Sequence, residues 1–276
     1  MPTLSSIARL LFVAALLVTT RHPAHAEKPS VTRVVAHRGL LLHAPENTLS
    51  NFRACLELRL GFELDVERTK DGHLVCIHDA SVDRTTDGSG AVADLTLEQI
   101  RQLDAGSWFD PKFAGERVPT IDEVFRLIAA TQPPQMAIAV DIKAEGVERD
   151  LVALAVRHGI VDRLLFIGRT ISDEALRTRI REGSPEALTA AVANHPGEFS
   201  SALESASVVY FRYLPSPQEM AAVRQAGKGS FIAGALVAGN HPENWQRASD
   251  LGIDAILTDY PLELAAMLRM TSHREP

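Results

Sequence analysis

The stretch Phe62-Glu63-Leu64-Asp65-Val66-Glu67-Arg68-Thr69-Lys70-Asp71-Gly72-His73-Leu74-Val75-Cys76-Ile77 reads as two short strands, Phe62 to Val66 and Leu74 to Ile77, around a turn at Lys70-Asp71-Gly72. A parallel crossover needs about a dozen residues or more, so these two runs pair as an antiparallel hairpin. Working outward, β-branched runs alternate with segments of helical period. The other strand candidates are Arg33 to Ala36, Met136 to Ile142, Leu164 to Ile167, Leu188 to Val192, Val208 to Phe211, Phe231 to Leu236 and Ala255 to Leu257. Setting aside the return strand of the hairpin leaves eight parallel candidates. That number, in a chain close to the about 250 residues usual for the fold, predicts an α/β protein built as a (β/α)8 TIM barrel. The rival is an open doubly wound sheet, but no GxGxxG follows the first strand to support it.

The helices between these strands announce their starts. Thr96 with Gln99, Thr120 with Glu123 and Ser216 with Glu219 fit the capping box, the last with Pro217 at the first helical position. No low-complexity linker divides the chain, which predicts one barrel domain over residues 27–276 with an insertion at roughly 79–118 after the hairpin. The N-terminus stands apart. Arg9, the apolar run Leu10 to Val18 and the small-residue site Ala24-His25-Ala26 predict a secretory signal peptide over residues 1–26, and hence export to a periplasm or the exterior. The run is too short for a membrane-spanning helix, and no later segment is long enough to be one.

Composition narrows the partners. The 276 residues are 46% hydrophobic, and 28 Lys+Arg against 35 Asp+Glu give a formal charge of −7, which argues against sequence-independent binding to nucleic acid or an anionic membrane. Cys55 and Cys76 are too few to be a disulfide framework, and no zinc-type cysteine spacing is present. Export would allow them to pair, but nothing in their spacing requires it.

In a barrel the reactive groups gather at the C-terminal ends of the strands. Glu63 and Asp65, two apart, point to one side of their strand, and Asp141 with Lys143 repeats the arrangement on another, placed by this reading across the barrel mouth. Three converging carboxylates repel unless one takes a proton or a cation neutralises them. A divalent cation held by oxygen ligands, Mg²⁺ or Ca²⁺, is the expected solution; a solvated ion-pair network with Lys143 and Arg38 is the plainer alternative. His37 and His78 flank the acids as a candidate acid/base pair, whereas His43, His73, His195 and His241 are expected to be structural. Arg38 and Lys143 offer the positive charge that a phosphate oxygen needs.

These residues resemble the glycerophosphodiester phosphodiesterase family. The resemblance runs through His37-Arg38-Gly39, Ala44-Pro45-Glu46-Asn47-Thr48-Leu49, Glu63-Leu64-Asp65-Val66, Thr69-Lys70-Asp71-Gly72, His78-Asp79 and Asp83-Arg84-Thr85-Thr86. It continues through Gly106-Ser107-Trp108-Phe109-Asp110, the run Phe113 to Thr120, and Gly252 to Pro261. It implies a barrel that hydrolyses a glycerol-bearing phosphodiester with a metal. Position by position, it implies Glu63 and Asp65 as metal ligands, His37 and His78 as acid/base pair, and Arg38 and Lys143 as phosphate contacts. Glu46 is a supporting residue that can equally cap the following helix.

Two departures stand out. Asp141 occupies a position where the family usually has Glu, so an ion there would sit closer to its strand or be met through water. Val237-Ala238-Gly239-Asn240 replaces a Trp-containing wall, and Arg169 and Arg212 sit at strand ends, a combination that suggests a pocket for a more anionic group. Trp108, Phe109 and Phe113 are expected to bury against the barrel as a cap. If they stay open instead, they suit action of the phospholipase D type on lysophospholipids. Binding of a glycerophosphodiester without turnover is the non-enzymatic alternative.

Overall fold

The computed structural model of the protein describes residues 31–131 and 137–272. Nine strands are formed: β1 Arg33–Ala36, β2 Gly61–Arg68, β3 Leu74–Cys76, β4 Ile138–Ile142, β5 Leu164–Gly168, β6 Leu188–Ala193, β7 Val208–Phe211, β8 Gly229–Ile232 and β9 Ala255–Thr258. The helices are α1 Leu49–Glu57, α2 Leu97–Ile100, α3 Ile121–Ala130, α4 Glu148–Arg157, α5 Glu174–Gly183, α6 Phe199–Ser205, α7 Pro217–Gln225, α8 Ala235–Ala238, α9 Pro242–Asp250 and α10 Pro261–Ser272.

Parallel pairing runs in the order β1-β2-β4-β5-β6-β7-β8-β9, and β9 returns to β1, which closes a ring of eight. The expected (β/α)8 barrel is the fold. β3 is antiparallel to β2, with Val66 opposite Cys76, so the hairpin is also as read, and it hangs outside the ring. Closure removes the exposed sheet edges that an open sheet leaves.

Strand periodicity sorts the core into two layers. Val35, Ala139, Leu165, Ile167, Tyr210 and Phe231 pack together inside the ring. Residues of opposite parity, such as Phe62, Leu64, Val140 and Phe166, pack outward against the helices. The three anticipated capping boxes are present with both hydrogen bonds, at Thr96–Gln99, Thr120–Glu123 and Ser216–Glu219. Each such cap contributes about 1 kcal/mol to its helix.

The inserted region between β3 and α3 has its own small core of Val82, Val92, Ile100, Ala105 and Val118 under Val75 and Ile77. Its aromatic residues do not join that core. Trp108 is exposed, and Phe109 and Phe113 are only half-buried; they stack edge to face on each other, with Lys112 over Phe113. The expected buried cap is therefore corrected: Trp108 donates to the Ala105 carbonyl, which holds its ring at the surface.

The strand expected over Phe231 to Leu236 is also corrected. β8 starts at Gly229 and stops at Ile232, and after Gly234, at φ +105°, the chain enters α8. A residue with a Cβ is disfavoured in that conformation, so Gly234 ends the extended run. The first 26 residues and Met136 lie outside the described residues. Among the described residues, no helix is long and apolar enough to cross a membrane.

Candidate active site

The acids meet because β2 and β4 are direct neighbours. Asp65 and Asp141 are register partners, and Glu63 is opposite Ala139. The sequence reading set the two pairs across the mouth from each other; they are instead side by side, because β3 lies outside the ring and leaves β4 to pair with β2. Glu63 and Asp65 are almost wholly buried and Asp141 is partly buried. One oxygen from each lies within 4.8 Å of the others.

Burial, then Asp65 and Asp141, push the Glu63 carboxyl well above the usual range. Burial also raises Asp141, against the opposing pull of Lys143. The Lys143 ammonium lies 2.8 Å from Asp141 Oδ2 and 3.2 Å from Asp65 Oδ1. Burial acts to lower its pKa, but Asp141 and Asp65 outweigh that and raise it. Asp65 Oδ1 and Asp141 Oδ1 are nevertheless buried without a hydrogen-bond partner. Asp141 Oδ1, and Asp65 Oδ1 with only the 3.2 Å ion pair to Lys143, form beside Glu63 a hard oxygen donor set that one lysine does not satisfy. The residues fit a divalent cation of the Mg²⁺ or Ca²⁺ type.

Gly168, at the end of β5, makes room for this arrangement. A Cβ there would lie 2.0 Å from Asp141 Oδ1, and its φ is +76°. Asp141, shorter than the family's usual Glu, still brings its oxygen into the set.

The loop between β1 and α1 supplies the supporting contacts. Arg38 takes a left-handed conformation, φ +54°, and its backbone N–H donates to Glu63 Oε2 at 2.9 Å. Asn47, also left-handed, donates from Nδ2 to Asp65 Oδ2 at 2.8 Å and accepts from the Asp65 backbone N–H. Such conformations cost free energy and persist only where the surroundings hold them. Here Asn51 does the holding: it is fully buried, accepts from the Leu40 N–H and donates to the carbonyls of Ala44 and Pro45.

Both histidines converge on the same end of the barrel, each anchored by an aspartate. His37 Nδ1 lies 2.6 Å from Asp259 Oδ1, and His78 Nδ1 lies 2.7 Å from Asp79 Oδ1. An ionised carboxylate only accepts, so each Nδ1 carries the proton and each Nε2 is left as the exchanging nitrogen. Arg84, from the inserted region, then donates to both oxygens of Asp79 and, at 2.8 Å twice, to Glu46. Glu46 also accepts from Arg38 at 3.2 Å. The helix-capping alternative for Glu46 is thereby overturned: Thr48 caps α1, and Glu46 is engaged by two arginines.

The sequence alone assigns no role to Asp79, Asp259, Arg84, Asn47 or Asn51. For Asp79 the adjacent His78 was a signal; for Asp259, 222 residues from His37, no local signal existed. Cys55 and Cys76 are buried free thiols. Cys76 donates to Asn47 Oδ1, and burial next to Asp65 and Glu63 drives its pKa far up, so it stays a neutral thiol rather than a ligand.

The sequence model of the Glycerophosphoryl diester phosphodiesterase family matches residues 37–263. A glycerophosphodiester phosphodiesterase of Caldanaerobacter subterraneus subsp. tengcongensis is 34% identical over 248 residues, covering 86% of this chain and 98% of that one. Among solved structures, a glycerophosphodiester phosphodiesterase from Agrobacterium tumefaciens superposes with a TM-score of 0.71 at 27% identity, over 85% of this chain and 99% of that one. An Oleispira antarctica phosphodiesterase, in complex with the product sn-glycerol-3-phosphate, gives 0.70 at 25% identity over 87% and 97%. The chain belongs to the glycerophosphoryl diester phosphodiesterase family.

Proposed function

We propose, with that family membership as the premise, that this enzyme hydrolyses glycerophosphodiesters to glycerol phosphate and an alcohol at the Glu63–Asp65–Asp141 centre. The observation that carries the reading is the convergence of three acids, two of them with buried oxygens that lack a hydrogen bond, on a barrel that also carries two aspartate-anchored histidines after β1 and β3. Glu63, Asp65 and Asp141 would hold one divalent cation, Mg²⁺ or Ca²⁺, which when bound supplies Lewis-acid charge that stabilises a phosphoryl oxygen.

Arg38 and Lys143 complete the positive wall. Arg38 Nε is buried without a hydrogen-bond partner, 3.8 Å from Asp65 Oδ2, which leaves it to donate to a non-bridging phosphate oxygen. The Lys143 ammonium has three donors, and its two carboxylate neighbours do not exhaust them. One of His37 and His78 takes the proton of the attacking oxygen at Nε2, while the other gives a proton to the departing alcohol. The attacking oxygen is water, or the adjacent glycerol hydroxyl in a route through a cyclic phosphate. Asp259 and Asp79 keep the rings oriented and stabilise the imidazolium that forms.

The test is a glycerophosphodiester panel assayed after chelation and after return of single metals. Turnover that depends on a divalent cation and disappears in His37→Ala and His78→Ala is the expected result. Undiminished rates in both variants remove the histidines from the mechanism, and retention of diester without product would mark a binding protein instead.

The half-exposed Trp108, Phe109 and Phe113 favour a second reading, action on lysophospholipids with an acyl chain against these rings. Comparing alcohol release from glycerophosphocholine and lysophosphatidylcholine separates the two. Export with cleavage after Ala26 belongs to the same proposal, and N-terminal sequencing of the mature protein tests it.

A further inference from the structure

Among the described residues, the cations at the C-terminal ends of the barrel strands have an ion-pair or hydrogen-bond partner for their side chains, with one exception. Arg38 faces Glu46, Lys143 faces Asp141, and Arg169, after β5, faces Glu145 at 2.8 Å. Arg68, at the end of β2, gives its N–H groups to the carbonyls of Glu145 and Gly146. Arg212, just past β7, has neither a carboxylate within 4.0 Å nor a side-chain hydrogen bond among the described residues.

It is nonetheless held in place. Its guanidinium lies 5.0 Å from the centre of the Tyr210 ring. Its Nη1 would also be only 3.1 Å from a Cβ at position 234, space that Gly234 leaves open. Tyr210 and Arg212 are two apart, so both project to the inner side of the ring. Tyr210 is buried inside the barrel, close enough to feel Asp141 and Glu63. In the ring order β7 stands four positions from β2, on the opposite wall of the mouth. An exposed guanidinium stacked on Tyr210 and without a carboxylate partner, in a protein of formal charge −7, is a ready fork for a carboxylate or phosphate.

We propose that Arg212 recognises an anionic group, a carboxylate or a second phosphate, on the alcohol arm of the diester as that arm crosses the mouth from the acid cluster toward β7. This rests on the phosphodiesterase reading above and names its preferred substrate class. The neutral glycerol arm and the scissile phosphate are common to all glycerophosphodiesters, so contact with either would not distinguish headgroups.

Matched pairs test it. Glycerophosphoserine and glycerophosphoethanolamine differ by one carboxylate; glycerophosphoinositol with and without a ring phosphate differ by one phosphate. The wild-type enzyme is expected to favour the anionic member of at least one pair by kcat/KM. Arg212→Met is expected to reduce that preference at least tenfold, and Arg212→Lys to keep part of it. The pair that responds identifies carboxylate or phosphate as the recognised group. Equal losses on all four diesters, or no change in either ratio, overturn the proposal.

A binding measurement separates this failure from failure of the underlying reading. In a His37→Ala background, the ratio of calorimetric Kd values within each pair is compared with and without Arg212→Met. If the wild type turns over none of the four, the phosphodiesterase reading fails, while the Kd ratios still decide the role of Arg212. Absence of binding to all four overturns both.

Discussion

Asp65 and Asp141 are register partners on adjacent parallel strands, and each leaves one buried oxygen without a hydrogen bond. Two like charges are thus pinned side by side by the backbone ladder of β2 and β4, with no freedom to separate. Backbone pairing imposes a repulsion that the Lys143 ammonium offsets in part, and that uptake of a proton or of a divalent cation would relieve further.

Removing divalent ions should therefore cost both activity and stability. Chelation is expected to abolish turnover, and re-addition of the preferred ion to restore it. At about 100 times its Kd the ion should add about 2.7 kcal/mol. In a chain of this size that is a rise in Tm of roughly 5–10 °C. Asp141→Asn should lose most of both responses; a Tm indifferent to the ion in the wild type contradicts the site.

Gly168→Ala should act on the same centre without touching a ligand. The added methyl meets Asp141 Oδ1 and the Ile142 backbone nitrogen, in a conformation alanine disfavours. Loss of about 1–3 kcal/mol of stability is expected from the strain. Cation affinity should weaken by about 10–100-fold through displacement of Asp141. Denaturant unfolding and ion titration measure the two, and full retention of cation affinity would show that Asp141 does not need the space.

The aspartates behind the histidines should matter through proton transfer rather than substrate capture. Asp259→Asn offers His37 Nδ1 an amide in place of an acceptor-only carboxylate, and kcat is expected to fall about 10²–10⁴-fold with little change in KM. Arg84→Met frees Asp79, and should lower kcat about 10-fold or more by the same route. Arg84→Lys should rescue only in part, since a point charge cannot bridge Asp79 and Glu46 as a planar fork does. Nitrogen-15 spectra of His78 are expected to show the loss of its fixed tautomer in Asp79→Asn and in Arg84→Met. A drop in Tm with kcat intact would reduce Arg84 to a structural brace.

Acid should loosen the inserted region through Asp104. Its carboxylate accepts the backbone N–H groups of Ser107, Gly115 and Gly106, which hold its pKa well below the usual value. A depressed folded pKa means the contribution is present above the unfolded pKa of about 3.9 and lost as pH falls through the lower folded value. Asp104→Asn should therefore differ from wild type at neutral pH and converge with it in strong acid. Trp108, bonded to the Ala105 carbonyl, provides the fluorescence readout. A gap that persists unchanged into strong acid would assign the effect to packing.

Much of this was legible locally. Alternation in Phe62 to Val66 placed Glu63 and Asp65 on one face, and the short Lys70-Asp71-Gly72 connection forced the hairpin that made eight parallel strands. Capping boxes marked three helix starts because their hydrogen bonds span only three residues. Errors arose where an apolar run concealed a change of conformation. Phe231 to Leu236 is uniformly apolar or small, and the sole signal that the strand stops was Gly234. Trp108, Phe109 and Phe113 were expected inside on hydrophobicity alone, but their outcome depends on what the small insertion core has room to cover.

Residue order settled the barrel and pointed to the three acids that gather in it, to two candidate histidines and to the charge types around them, because strand alternation and turn length are short-range properties of the chain. Folding in three dimensions settled that β2 abuts β4, that Asp259 reaches back to His37, that Glu46 joins Arg38 to Arg84, and that Arg212 is left without a carboxylate partner among the described residues. Those contacts join residues from separate elements, up to 222 positions apart, and are made by ring closure and register. No short stretch of chain encodes them; they exist only once the hydrogen-bonded ring has closed.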